Sequence, residues 1–455
     1  MVRAQAVYGS IAGTIADSTG ATVPGATVTI TSIDRKTAQS VVTNASGYYA
    51  KDRLLPGRYE VKAELAGFKS AQVSRVVISV DTQTMVNLRL EVGEMSETVT
   101  VEGAASLLKS DKADVATVFE SKQLTELPVL DRNFTKFLLL TPGTQQQTWQ
   151  HAASENPQGS TQTMVNGQTF SGTGWQLDGT DNRDVILGIV VVNSTLESIG
   201  ESKITSQNYD AEFGQAVAGV VSVQTKSGTN AFHGSAFEFA QRDKFQARNP
   251  FSQPDTPNPV TGKVLPETKK DQFGASVGGP IVKNKFFFFG DYQASRNTVG
   301  GSRLLTVPTA AARAGDLSAY GTNIYDPLTG APSQRQQFPG NRIPSNRLSP
   351  QAQAILASLP LPNATGRDNQ TRDNFIAQGS ESFNGDQFNT RLDGRINDRL
   401  NIFGRYSFAK YALTGPTAFG EGGGAELVSL GGDSKVKNHS LALGFDYTLN
   451  PTTIL

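Results

Sequence analysis

The sequence has no cysteine in 455 residues. Disulfide frameworks and thiol chemistry are therefore excluded. An excess of either charge is missing too, since 41 Lys+Arg balance 41 Asp+Glu. Nucleic-acid binding is dominated by phosphate neutralisation, and no basic tail or stripe is present to provide it. Long apolar runs are also lacking. The longest, VILGIVVV (185–192), falls far short of the ~20 residues a membrane helix needs. That excludes a helical span but not a β-barrel, whose alternating strands keep average hydrophobicity low. Histidine is scarce: His151, His233 and His439 are followed three positions on by Ser154, Ala236 and Ala442. No zinc constellation exists at usable spacing. No nucleophile, base or metal set converges, so an enzyme is the weakest function class, and no cofactor is expected.

What is abundant is glycine, 45 residues, together with Thr, Asn, Gln and Ser. This composition suits turns and strands better than helices. The expectation is a mainly β chain in three parts.

Residues 1–92 read as a small β-sandwich. Val28 and Ile30 alternate with Thr27, Thr29 and Thr31, and NASGYY (44–49) is a hairpin turn. Tyr59, Val61, Ala63 and Leu65 share one parity against Arg58, Glu60, Lys62 and Glu64. About seven short strands with a turn signal roughly every ten residues is a sandwich pattern. Ahead of it, AQA (4–6) fits the small-x-small site that ends a secretory signal, without the apolar segment that precedes one. The chain is read as starting just upstream of a mature terminus.

Residues 93–227 read as an α+β unit. ESKQLTEL (120–127) is a short helix candidate with a Ser121 cap, stopped by Pro128. RNFTKFLLLTPG (132–143) places Phe134, Phe137 and Leu138 at helical spacing. Residues 193–199 and 209–215 are further helical candidates. Strands are expected at 163–165, 174–177, 185–192, 201–205 and 220–225.

Residues 228–455 differ. Phe388, Thr390, Leu392 and Ile396 oppose Gln387, Asn389, Arg391, Asp393 and Arg395. Leu441, Leu443, Phe445, Tyr447 and Leu449 oppose Asn438, Ser440, Gly444, Asp446 and Thr448. Phe273, Ala275 and Val277 oppose Gln272, Gly274 and Ser276. Such runs, about ten residues each, match a tilted strand crossing hydrocarbon. Strand candidates at 232–242, 272–282, 285–296, 386–396, 399–409 and 437–449 are joined by links that alternate long and short. Outer-membrane barrels have that alternation, with short periplasmic turns and longer extracellular loops. The run Phe286, Phe287, Phe288, Phe289 fits an interfacial girdle or a strand buried on both faces. In the first strand, Phe237 and Phe239 are expected to face lipid, with Gly234, Ala236 and Glu238 toward the lumen. The segment before it would fill that lumen, as large barrels of about 22 strands are plugged. Only about six strands are present and the chain stops at NPTTIL (450–455), so it is expected to be a fragment of a longer protein.

Three stretches carry a resemblance in the N-terminal part: GTIADSTGATVPGATVTI (13–30), TNASGYYAKDRLLPGRYEV (43–61) and AGFKSAQ (66–72). They resemble the carboxypeptidase regulatory-like domain, a transthyretin-like fold. Downstream, LPVLDRNFTKFLLLTPG (127–143), WQLDGTDN (175–182), ESKITSQNYDAEFGQAVAGVVSVQTKSGTNAFHGSAFEF (201–239) and FGASVGGPIVKNKFFFFGDYQ (273–293) are similar to TonB-dependent outer-membrane receptors of the Oar-like branch. The resemblance implies a cell outer membrane location, with the sandwich and plug on the periplasmic side. It implies energised import of an unidentified extracellular substrate, driven by a TonB-type energy-transducing partner. ETVTV, that is Glu97, Thr98, Val99, Thr100 and Val101, is similar to the TonB box, whose physics is strand addition to a partner's sheet edge. It also reads as a last sandwich strand. In LDGTDNRD (177–184), Asp178, Gly179, Asp181 and Asn182 are candidates for the plug apex; the ligand order does not fit an EF-hand calcium loop. GEGGGA (420–425) has the glycines of a dinucleotide fingerprint without the strand and helix around it, and reads as an extracellular loop. The alternative function is a secreted or surface-attached β-protein that binds glycan or protein without transport.

Overall fold

A computed structural model describes residues 8–94, 98–101, 113–150, 152–153, 155–245, 247, 267–397, 399–450 and 453–454. The first strands are β1 (Gly9–Asp17), β2 (Thr27–Ser32), β3 (Ala38–Val42), β4 (Tyr48–Leu54), β5 (Gly57–Glu64), β6 (Ser70–Ile78), β7 (Gln83–Met85), β8 (Leu88–Leu90) and β9 (Thr98–Val101). They form two sheets. In one, β4, β7 and β8 pair with β1; the other runs β3-β2-β5-β6-β9. The alternation in β5 buries Tyr59, Val61 and Ala63, which pack with Ile11, Ile15, Val28, Ile30, Ile78 and Leu90. Each such aliphatic side chain contributes roughly 1.5–3 kcal/mol on burial, which is ample to stabilise a sandwich of this size. The buried Tyr49 hydroxyl donates to the Val86 carbonyl at 2.7 Å.

The middle unit contains β10 (Val115–Glu120), α1 (Ser121–Glu126), β11 (Thr144–Gln146), β12 (Thr163–Val165), β13 (Gly174–Leu177), β14 (Thr180–Asp181), β15 (Ile199–Gln207) and β16 (Val220–Thr225). Its main sheet has the order β10-β15-β16-β13-β14. The cap of α1 is Glu120 rather than Ser121, and the Glu120 N–H donates to the Gln123 side chain at 3.0 Å. The segment around Phe134 winds as a 3-10 helix, Phe134–Leu140, that buries Phe134, Phe137 and Leu138. Two expected helices are turns instead. At 193–199 the Thr195 hydroxyl accepts from the Ser198 N–H and the Ser198 hydroxyl donates to the Thr195 carbonyl. Hydroxyls that satisfy nearby backbone in this way compete with helix formation. At 209–215 single turn bonds, Phe213 N–H to Asp210 O and Ala216 N–H to Phe213 O, replace a helical ladder. The expected strand at 185–192 is a loop. Asp184 accepts from the N–H groups of Ile186 and Leu187, Gly188 has φ +69, and Val185 and Ile186 are exposed.

Six long strands follow: β17 (His233–Arg242), β18 (Thr268–Val282), β19 (Phe286–Leu305), β20 (Phe375–Arg395), β21 (Leu400–Gly415) and β22 (Gly432–Asn450), with the short β23 (Thr453–Ile454) paired to the last. Each pairs antiparallel with the next in an up-and-down meander. Short links join β18 to β19 and β20 to β21. Long ones follow β17, β19 and β21, and the longest carries α2 (Ala310–Arg313) and α3 (Pro350–Ser358). β19 and β20 reach 20 and 21 residues, longer than the alternating pattern foretold. Their extra length lies at the long-loop end, where the ladder continues from Asn297 opposite Phe383 to Leu305 opposite Phe375.

The polarity of this sheet is inverted relative to a water-soluble one. Its exposed face carries Leu441 (65%), Leu443 (75%) and Phe445 (60%). Its covered face carries Asp291, Gln293, Gln387, Asn389, Arg391, Asp393, Arg405 and Ser407, all buried. The four-phenylalanine run splits by parity, with Phe287 and Phe289 buried and Phe286 and Phe288 half-buried. β17 reverses the expectation. The Arg132 guanidinium of the middle unit lies over the rings of Phe237 and Phe239, 4.6 and 4.5 Å from their centroids. Both rings therefore face the lumen, while Gly234, Ala236 and Glu238 face out. Alternation fixes which residues share a face but not which face is inner, and here a cation–π partner decides it.

The sandwich docks at the short-turn end. Arg53 pairs with Asp446 at 2.8 Å, Arg395 donates to the Ala38 carbonyl at 2.8 Å, and Arg35 lies over the Phe287 ring. Against the middle unit, Lys203 reaches Asp81 at 2.7 Å and Glu201 accepts the Val80 N–H at 2.5 Å. Burial pushes the Glu201 carboxyl up to about 7, against a relieving hydrogen bond from Val80. The unfolded chain releases this proton near the ordinary 4.5. Between those values the folded state binds more protons, so stability falls as pH rises. The urea midpoint of the sandwich and middle unit in the intact protein should drop from pH 5 to pH 8, and Glu201→Gln should flatten that slope. An unchanged slope in the variant would remove Glu201 as its source.

Candidate functional site

The sheet and the unit inside it meet at a buried ionic cluster. It starts from a two-residue hairpin between β13 and β14. Asp178 and Gly179 have φ +49 and +78, and Asp-Gly is the dipeptide such a turn favours. The turn aims the Asp178 side chain at the wall. Its carboxylate accepts from the Thr225 N–H at 2.9 Å and from the Thr225 hydroxyl at 2.7 Å. From the wall, Arg391 Nη1 donates to it at 2.7 Å. Arg405 Nε lies 2.9 Å from its other oxygen, an ion pair without an aligned hydrogen bond. Arg391 also bonds Asp393 at 3.0 Å through two nitrogens, and Asp393 accepts from the Ser227 hydroxyl. Arg405 continues to Thr180 at 3.2 Å and Ser407 at 2.9 Å. Arg391 and Arg405 are only 2% and 1% exposed.

Two Arg and two Asp make this cluster neutral, which is what allows it to be buried. Taking an ion out of water costs several kcal/mol, recovered only by close pairing and further hydrogen bonds. The arrangement therefore holds two rigid bodies in one register more than it adds stability. Further up the wall, the Thr195 hydroxyl donates to Asp291 at 2.6 Å, Gln387 Nε2 to the Asn193 carbonyl at 2.9 Å, and Asn438 Nδ2 to the Val191 carbonyl at 2.6 Å.

The sequence candidates at 178–182 do not gather at an open apex. Asp178 is buried in the wall cluster. Asn182 is also buried and grips the following loop, donating to the Val192 carbonyl and accepting its N–H. Asp181 is exposed and caps Arg183 N–H. The surface facing the long-loop end is made by residues around 131–133, 156–159 and 193–194. With Phe239, Gln272, Gln293, Phe383, Gln387 and Tyr411 they line a cavity of about 490 Å³, within the ~300–1,000 Å³ usual for ligand sites. Arg391 and Arg405 carried a signal in the sequence, as charged residues on the lumen parity of a membrane strand, which require a partner inside.

Thr98, Val99, Thr100 and Val101 form β9, parallel to β6 with Ala71 opposite Val99, at the end of its sheet. Glu97 lies outside the described residues. Asp81, Asp210 and Glu212 bring carboxylate oxygens within 4.8 Å of one another, but Asp81 is already held by Lys203.

Comparison with known proteins matches residues 224–455 to a family described as the outer membrane beta barrel domain, and residues 10–91 to the carboxypeptidase regulatory-like domain. The chain is 27% identical over 314 residues to the TonB-dependent transporter Oar of Myxococcus xanthus, a match covering 65% of this chain and 28% of that protein. The chain thus spans little more than a quarter of that relative's length. Among solved structures it is similar to the outer membrane transporter YddB of Escherichia coli, with a TM-score of 0.46 and 10% identity over 73% of this chain and 37% of that one. It is also similar to the siderophore receptor PirA of Acinetobacter baumannii, with a TM-score of 0.41 and 16% identity over 73% and 37%.

If the ionic cluster sets the register between wall and inner unit, Asp178→Asn should lower the inner unit's urea stability in the intact protein by about 3 kcal/mol, because Arg405 is left buried without its carboxylate. Asp181→Asn, on the exposed side of the same hairpin, should change it by less than about 0.5 kcal/mol. Equal effects would contradict this assignment.

Proposed function

The chain belongs to the outer membrane beta barrel family, and from that premise we propose that it serves energised import across the outer membrane through a TonB-type partner. The observation that carries this reading is the middle unit seated in the sheet's polar face by the Asp178, Arg391 and Arg405 cluster. A lumen filled in this way passes nothing large unless the filling moves. A neutral buried cluster holds well at rest and yields to a directed pull, because each pair can be re-solvated in turn as water enters.

The pull needs a handle. β9 supplies one, since it ends a sheet and is β-prone over Thr98, Val99, Thr100 and Val101. Strand addition depends on backbone N–H and C=O groups rather than on side chains. Parallel pairing to β6 is slightly weaker per residue than antiparallel pairing, so exchange onto a partner's edge costs little. Glu97 extends the handle by one residue. The substrate enters from the long-loop end, into the cavity above the plug.

The test uses the full receptor and the periplasmic domain of a TonB-type protein. Val99→Pro removes one backbone donor and should cut co-purification about tenfold or more, the equivalent of roughly 1.4 kcal/mol. Val99→Thr keeps the backbone and should leave it unchanged. Both should remain in outer-membrane fractions. Capture unaffected by the proline would contradict the handle.

A further inference from the structure

The outward face of the long sheet changes character along its height. The ladder sets its side chains in rows that run across the strands. Tyr292, Phe388, Phe408 and His439 form one such row, each opposite the next. Toward the short-turn end the same face of β22 carries Leu441, Leu443 and Phe445, all exposed. Toward the long-loop end it carries Lys437 and then Lys435. Aromatic rings favour the boundary between hydrocarbon and headgroups, so the lysines stand at headgroup height.

Most cations in this belt have a carboxylate of their own. Arg242 pairs with Asp271 at 2.5 Å. Arg296 donates to Asp386 at 2.7 Å, and Asp386 also accepts from the Tyr292 hydroxyl at 2.7 Å. Lys410, Lys435 and Lys437 differ. All three are exposed and none forms an ion pair among the described residues. Asp386 lies opposite Lys410 but is committed to Arg296 and Tyr292. Asp433, one step beyond Lys435 on the same face, pairs with neither lysine of its strand. Lys410 stands directly opposite Lys437 in the ladder. Like charges in that position are destabilising, and an anion between them reverses the sign.

We propose that Lys410, Lys435 and Lys437 hold the phosphate headgroup of an anionic membrane lipid in the leaflet on the long-loop side. Opposed side chains on neighbouring strands start about 5 Å apart, close enough for one phosphate to bridge two ammonium groups. Lysine stems can lie along apolar surface while their heads reach the headgroup layer. Leu441 lies four residues below Lys437, roughly 13 Å along the strand, so the acyl chains of a lipid held there run down over Leu441 and Leu443. That continuity favours a lipid over a soluble anion, which leaves the apolar rows uncovered. The proposal depends on the sheet's place in the membrane and not on what the barrel transports.

The experiment uses the full-length protein in phosphatidylcholine vesicles, with a fluorescent bimane on Leu441→Cys and any other cysteine replaced. Chain-spin-labelled phosphatidic acid and chain-spin-labelled phosphatidylcholine are the quenching probes. The phosphatidic acid should reach half-quenching at a mole fraction at least about fivefold lower, the equivalent of roughly 1 kcal/mol for a single lysine. Lys437→Gln should raise that mole fraction about fivefold, and Lys410→Gln with Lys437→Gln should abolish the preference. Lys410→Arg with Lys437→Arg should keep it, as should Lys283→Gln at the short-turn end. Inorganic phosphate should not compete. All variants should retain the heat-modifiable band of a folded barrel; if the double glutamine variant lost it, Lys437→Gln alone would decide. Equal quenching by the two lipids, a preference that survives Lys437→Gln unchanged, or one that inorganic phosphate removes overturns the proposal.

Discussion

Hydrocarbon on one flank of a β-sheet imposes the constraint from which the other features follow. A strand there must show lipid its apolar side chains and satisfy every backbone group by pairing. Its polar side chains then point inward by the period-2 geometry of the strand. Residues such as Asp291, Asn389, Arg391 and Arg405 are accordingly buried. A buried polar wall needs polar partners, which requires a body inside the sheet that presents them. The middle unit does so with Asp178, Thr195 and the Asn193 carbonyl.

The same constraint bears on how the parts are held together. An apolar interface between wall and inner unit would bind strongly without fixing register. A charge cluster binds less strongly, because desolvation offsets much of the attraction, but it tolerates misplacement poorly. At the short-turn end the sandwich meets the rest through the polar contacts of Arg53, Arg395, Lys203 and Glu201 and through Arg35 over the Phe287 ring.

How much of this was legible in the sequence depended on whether the deciding contact was local. Parity in β18, β20 and β22 was readable, because it is set by side chains two residues apart. The Asp-Gly turn at 178–179 is local in the same sense, since the dipeptide itself favours it. The destination of Asp178 was not, because its wall partners, Arg391 and Arg405, lie more than 200 residues away. β17 was read inside out because Phe237 and Phe239 find their partner in Arg132, which nothing in their own strand announces. The run 185–192 resembled a strand by composition, yet Asp184 and Gly188 turn it into a loop.

The central claim is tested most directly by the accessibility of residues 440–445 in the full-length protein reconstituted into lipid vesicles. The 455 residues hold no cysteine, so, with any cysteine elsewhere in the full-length protein replaced, each position in turn can carry a single spin label. Collision rates with oxygen, which concentrates in hydrocarbon, should be high at Leu441, Leu443 and Phe445 and low at Ser440, Ala442 and Gly444. Uniform rates across the six positions, or the opposite parity, would contradict a sheet with lipid on one flank and a polar lumen on the other.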